Sequence, residues 1–167
     1  MDYREQRQKT QLRREPQTAS AQLKKAKVKA LKLLERMDRT EAELREKLLK
    51  AEFEPEYVEQ AVAYVKSCGY LDDERYVRNY IEYRKDHKSR RRMEQELQFR
   101  KGVSSELIRK IYDELEPVDE RALIRRQIQK KCGSMAEWDD RRKQKLIASL
   151  VRKGFRTGDI LSVLREQ

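Results

Sequence analysis

LLKAEFEPEYV at residues 48–58, LQFRKGVSSELI at 97–108 and LVRKGFRTGDIL at 150–161 carry one pattern three times. Each runs from an apolar residue through a small basic step to Phe or Val, then to a helix-capping position and a new apolar face. The middle copy holds one extra residue before Gly102. The cycle they mark is roughly 45–48 residues long, a scale at which units of a few helices stack because none can bury its own apolar face alone.

Around these junctions the apolar residues fall at helical spacing. Ala30, Leu31, Leu34 and Met37 open the first cycle. Thr40–Glu43 has the form of a capping box, in which the Thr hydroxyl accepts the N3 amide and Glu43 reaches back. The next helix carries Leu44, Leu48 and Leu49. Pro55 suits the first position of a third helix holding Val58, Ala61, Val62 and Val65, with Gly69 as its left-handed stop. The second cycle starts at Asp72-Asp73-Glu74, carboxylates suited to the positive end of a helix dipole, and runs through Tyr76, Val77, Tyr80 and Ile81. Ser89 and Ser104 suit the caps of its next two helices, built on Met93 and Leu97, then on Leu107, Ile108, Ile111 and Leu115. The third cycle starts at Asp119-Glu120-Arg121 and carries Leu123, Ile124 and Ile128. It stops near Cys132-Gly133, resumes near Trp138 through Leu146 and Leu150, and breaks at Gly154. Thr157 is expected to cap a last helix with Ile160, Leu161 and Leu164.

The pattern predicts an all-α protein of three tandem three-helix repeats forming an elongated, curved, right-handed or solenoid-like body. Repeat 1 is expected over 26–71, repeat 2 over 72–117 and repeat 3 over 118–167. Residues 1–25 are polar, basic and without apolar periodicity, and are expected to be a disordered arm.

Composition agrees with helices joined by short connections: only five Gly and three Pro punctuate 167 residues, and charged residues make up 43% against 37% hydrophobic. The net charge is +11, and it is banded. Residues 1–29 carry +6, 30–74 carry −5, 75–110 carry +7, 111–120 carry −5 and 121–167 carry +8. Banding of this kind argues for localised surfaces that meet an anionic partner. The start has no apolar signal core, and no run approaches the roughly 18 apolar residues of a membrane span. A soluble, cytoplasmic protein acting as a monomer and without membrane contact is expected. Cys68 and Cys132 have no ligand partners near them in sequence and read as buried thiols in a reducing compartment.

Several chemistries are excluded. The chain has no GxxxxGK[ST], no GxGxxG and no CxxC. His87 is the only histidine and sits in a basic run, so His-based triads and two-His metal sites are ruled out by count. Asp72 and Asp73 are better helix caps than metal ligands. No catalytic residue, metal or cofactor is expected, and the protein reads as a binder, not an enzyme.

The candidate binding residues are basic clusters. The first is Arg84, Lys85, Lys88, Arg90, Arg91 and Arg92, joined by Arg100 and Lys101 at the middle junction. The second is Arg141, Arg142, Lys143 and Lys145. The third is Arg152, Lys153 and Arg156 around Gly154. Arginine forks match carboxylate and phosphate geometry. Tyr76, Tyr80 and Tyr83 form one helical stripe, which reads mainly as a packing seam; Tyr83, beside Arg84, is the exposed candidate for stacking on a base.

Residues 30–84, ALKLLERMDRTEAELREKLLKAEFEPEYVEQAVAYVKSCGYLDDERYVRNYIEYR, resemble the opening of the RecX family of regulatory proteins. RRRMEQELQFRKGV at 90–103 and LVRKGF at 150–155 are similar to that family's second and third repeats, so the resemblance covers 26–167. Glu52 stands where a Gly is usual, KDHKS at 85–89 replaces a more Gly-rich link, and the extra residue before Gly102 is a further departure. The resemblance implies a modulator of the RecA recombinase, lying in the groove of the RecA–DNA filament, bridging protomers and inhibiting ATP hydrolysis and strand exchange. It also implies roles in homologous recombination, DNA repair and the SOS response. It supplies no catalytic motif, so the candidate residues rest on charge clustering. The partners expected are the RecA filament and single- or double-stranded DNA held electrostatically. Two other readings stay open at this point: a general DNA- or RNA-binding tandem helical module, and an interaction scaffold with solvated basic faces.

Overall fold

The computed structural model describes residues 3–131 and 139–166, with side chains from residue 19 onward. Among these residues lie nine α-helices and no strand. They are α1 (Tyr3–Arg36), α2 (Glu41–Leu49), α3 (Pro55–Ser67), α4 (Asp73–Arg84), α5 (Arg90–Gln95), α6 (Ser105–Glu114), α7 (Glu120–Lys131), α8 (Asp140–Arg152) and α9 (Thr157–Arg165). A π-helical turn, Glu96–Arg100, extends α5. The expected stop at Cys132-Gly133 and restart at Trp138 lie outside the described residues. Helix α1 also takes in residues 3–25, where the sequence predicts a disordered arm; Gln, Arg, Lys and Glu there are strong helix formers.

The chain divides into two compact units, residues 1–76 and 77–167. The first is built on Ala26, Ala30, Leu44, Leu48, Val58, Ala61, Val62, Val65 and Leu71, all buried. Small alanines on α1 let it approach α2 and α3 closely. Met37, expected on this face, is 63% exposed because α1 ends at Arg36 and the chain turns toward the Thr40 cap. In the second unit Val77, Tyr80, Ile81, Met93, Leu97, Val103, Ile108 and Ile111 are buried in the second repeat. Leu123, Ile124, Ile128, Leu146, Leu150, Phe155, Ile160 and Val163 form the core of the third.

Local chemistry sets the helix ends. Thr40 Oγ1 accepts from Glu43 N at 3.2 Å while Glu43 Oε2 accepts from Thr40 N at 3.3 Å, completing the capping box. Ser89 and Ser104 cap α5 and α6 through the amides of Arg92 and Leu107. Thr157 does not cap α9: it is the first helical residue, and the N-cap position falls to Arg156, which makes no side-chain cap bond. Cys68 is exposed, against the expected buried thiol. It is the last residue before the Gly69 stop, and Val65 and Leu71 take the core positions on either side.

The first and third junctions share one backbone device, and the middle one widens it. In the first, Phe53 N donates to Leu48 O (3.3 Å) and Glu52 N to Leu49 O (2.9 Å). In the third, Phe155 N donates to Leu150 O (3.3 Å) and Gly154 N to Val151 O (2.9 Å). Both are Schellman closures around a residue with positive φ, 63° at Glu52 and 94° at Gly154. The middle copy must fit its extra residue while Leu97 and Val103 still reach the core. It does so by widening: Lys101 N donates to Glu96 O (3.1 Å) and Val103 N to Leu97 O (3.1 Å). The inserted residue thus becomes the π-helical turn.

A second device recurs at repeat boundaries. The first residue of the next cycle's leading helix supplies a carboxylate to the first amide of the preceding cycle's second helix. Asp73 Oδ1 accepts from Glu41 N at 2.9 Å, and Glu120 Oε1 accepts from Arg90 N at 2.8 Å. Within the second unit a further bond runs from Ser89 N to Lys153 O, 3.0 Å.

Candidate nucleic-acid and partner interface

The structure sorts the basic residues into those engaged with carboxylates and those left facing solvent. Glu96, 7% exposed, receives Lys88, Arg92 (3.0 Å) and the Tyr80 hydroxyl. Burial pushes the Glu96 carboxyl up, but hydrogen bonds from Lys88, Tyr80 and Arg92 outweigh it and hold it at about 2. Arg90 pairs with Glu94 at 2.7 Å and lies 4.3 Å over the Tyr112 ring. Lys85 pairs with Glu82 at 2.7 Å, and Arg84 stacks 4.1 Å over Tyr80. The sequence treats Arg84–Arg92 as one patch; in the fold its members meet five different side chains, Tyr80, Glu82, Glu94, Glu96 and Tyr112.

Arg91 belongs to another setting. It stands with Arg92 and Gln95 of α5 on one wall of a groove of about 580 Å³. Val151, Arg152, Gly154 and Phe155, from the end of α8 and its turn, form another wall, and Arg156 and Thr157 open α9 on the rim. The groove therefore joins the first and third sequence clusters, and among the described residues its lining contains no carboxylate. Arg91, Arg152 and Arg156 are exposed and have no ion pair among the described residues. Gly154 makes the junction tight. A Cβ there would sit 2.5 Å from Arg92 Cβ and against Ser89 Oγ, so α5 and the α8 turn meet at a point only glycine permits.

Lys153 is set apart from Arg152 and Arg156. Its ammonium bonds to Gln127 Oε1, and its pKa is lowered, first by burial and then by Lys131 and Lys130. Lys130 and Lys131, the last turn of α7, are exposed basic residues absent from the sequence-based clusters. Their only sequence signal is the pair itself, and their nearness to Lys153 depends on the fold. Arg141, Arg142 and Lys145 are exposed on α8 and Lys143 is half-buried, apart from the groove lining. Arg100 is exposed and Lys101 half-buried after the π-helical turn. Tyr83 is 78% exposed, as expected of the residue beside Arg84, while Tyr80 is buried as the packing seam predicts. Phe99, 77% exposed, is a second aromatic on the surface that sequence reasoning passed over, because the core slot at that junction goes to Val103. Among the described residues no group of three His, Cys, Asp or Glu side chains is placed to hold a metal ion, and no helix is long and apolar enough to cross a membrane.

Comparison with known families follows the three cycles. Residues 26–64 match the family model of the RecX first three-helix domain, 72–110 that of the second and 119–164 that of the third. The chain belongs to the RecX family. Among its relatives, the regulatory protein RecX of Actinobacillus pleuropneumoniae serotype 5b is 33% identical over 126 residues, 75% of this chain and 81% of the relative. That of Pelodictyon phaeoclathratiforme is 33% identical over 138 residues, 81% and 84% of the two chains. That of Clostridium perfringens strain SM101 is 31% identical over 144 residues, 84% of this chain and 68% of the relative. A crystal structure of regulatory protein RecX covers 89% of this chain and 75% of its own with a TM-score of 0.71 at 22% identity. RecX from Lactobacillus salivarius covers 88% and 97% with a TM-score of 0.65 at 19% identity. Both likenesses speak for the fold. In RecX terms, Arg91 and Arg92 lie in the second three-helix domain and Arg152 and Arg156 in the third.

Proposed function

We propose that this chain regulates the RecA recombinase in the cytoplasm, binding the RecA–DNA filament as a monomer and inhibiting its ATP hydrolysis and strand exchange. Membership of the RecX family, with all three of its three-helix domains present in order, is the observation that carries this reading. It acts by binding and not by catalysis, and its exposed, unpaired arginines supply the positive surface that an anionic filament requires. The experiment is RecA's single-strand-dependent ATPase with this protein titrated in. A dose-dependent fall in rate is expected; an unchanged rate at several-fold excess over filament sinks the proposal.

A second reading, a general nucleic-acid-binding helical module, is favoured by the carboxylate-free lining of the arginine groove. The two differ in partner. The regulator needs RecA for its effect, whereas the general module binds naked DNA or RNA and weakens steeply as salt rises.

A further inference from the structure

We propose that the groove between α5 and the α8–α9 turn is a phosphate-backbone site that takes a nucleic-acid strand. This deepens the regulatory reading by assigning DNA contact to one place, and it rests on that reading only for its biological context.

Four arginines line the groove, Arg91, Arg92, Arg152 and Arg156. Three of them, Arg91, Arg152 and Arg156, have no ion pair among the described residues, so their forked donors are available to an incoming anion. The fourth, Arg92, is fixed from below by Glu96, which keeps its wall in place. Helix α9 begins at the groove with no side-chain cap on its first amides, so backbone N–H donors add to the same site, while Asp159 in its first turn offsets part of the positive helix end. Among the described residues no carboxylate lines the groove to oppose an anion.

Phosphate fits these features better than a carboxylate-bearing peptide does. A protein segment would need an apolar anchor to gain affinity; the groove offers it only the Val151 side chain, 43% exposed, because Phe155 is 3% exposed and already spent in the core of the third repeat. A nucleic-acid backbone asks only for spaced cationic forks along an open channel. The site depends on the fold, because Gly154 is what allows the α8 turn to approach α5 closely enough for the two arginine pairs to share one groove.

The test measures binding of the full chain to a fluorescent oligo-dT strand and to a duplex of equal length, by anisotropy across a salt series. The groove variant is R152E/R156E. The control is K32E/K47E, which changes net charge equally at two exposed lysines outside the groove and outside every candidate cluster. The groove variant should lose at least about tenfold in affinity for single strand. Its salt dependence should fall by about 1.4, at roughly 0.7 per phosphate contact on a single strand. The control should stay within about threefold. A larger loss on the duplex than on single strand would support the site and assign it to double-stranded DNA. Equal losses in both variants overturn the proposal in favour of diffuse charge, as does an unchanged groove variant or a parent chain that binds neither DNA. If the groove variant keeps DNA binding but loses the RecA filament, the groove is a protein contact and the proposal fails while the regulatory reading stands. If DNA binding maps to the groove but RecA's ATPase is untouched, the regulatory reading fails and this site stands. Helical circular dichroism checks the fold; should R152E/R156E lose that signal, the milder R91Q/R152Q carries the same expectations.

Discussion

At the scale of single residues, three turn positions with positive φ separate backbone strain from steric crowding. Gly69 has φ 75° and open space around a would-be Cβ, so Gly69→Ala should cost only the left-handed penalty, about 1 kcal/mol. Gly154 has φ 94° and Arg92 and Ser89 in the way, so Gly154→Ala should cost about 2–4 kcal/mol by urea unfolding. Glu52 carries the strain without being glycine, φ 63°, so Glu52→Gly should raise stability by up to about 1 kcal/mol. Glu96 tests electrostatics. Its folded pKa of about 2 lies below the ordinary 4.5, so the stability it contributes is full above pH 4.5 and drains away as pH falls through 2. The amount is about 3 kcal/mol. Glu96→Gln should flatten the fall in urea midpoint across that window and destabilise the protein at neutral pH, since Lys88 and Arg92 then lose their shared carboxylate.

At the scale of elements, the π-helical turn is the structural form of one surplus residue. Deleting Gln98, exposed on that turn, should let the middle junction close as the other two do, with Leu97 and the following turn in ordinary α register. Helical circular dichroism should be unchanged and urea stability altered by less than about 2 kcal/mol; loss of cooperative unfolding would show that the wide turn is required. The surplus residue was visible in the sequence by aligning the three junctions, and so were the caps at Thr40, Ser89 and Ser104, because capping is chemistry within four residues. How the surplus is absorbed was not visible, since it depends on Leu97 and Val103 both being held by the core. The basic run around Arg90 was visible as charge, but its dispersal was not. Glu96 is a salt-bridge partner for Arg92 at helical spacing, but that Tyr80 from another helix and Lys88 meet the same buried carboxylate depends on the fold. The groove was hidden for the same reason: Arg91 and Arg152 are distant in sequence and meet through packing. Cys68 misled because a free thiol is usually buried, whereas here the helix stop turns it outward.

At the scale of the whole molecule, charge and stability are divided differently along the chain. The first unit holds the acid-rich band of residues 30–74, and the second holds the arginine groove, so the two need not respond alike to an anionic partner. The carboxylate that crosses each repeat boundary has a practical corollary for dissecting such a protein. Excising a repeat at the point where its sequence pattern ends loses this bond. A fragment stopping at Leu71 keeps the whole apolar core of the first unit but strands the amide of Glu41, because its acceptor is Asp73. A fragment carried on to Tyr76 retains it, and should unfold at higher urea by an amount worth about 1–3 kcal/mol. Asp73→Ala in the intact chain should show a loss of the same order. For the first repeat, the piece that keeps both its core and this bond thus runs one turn into its successor.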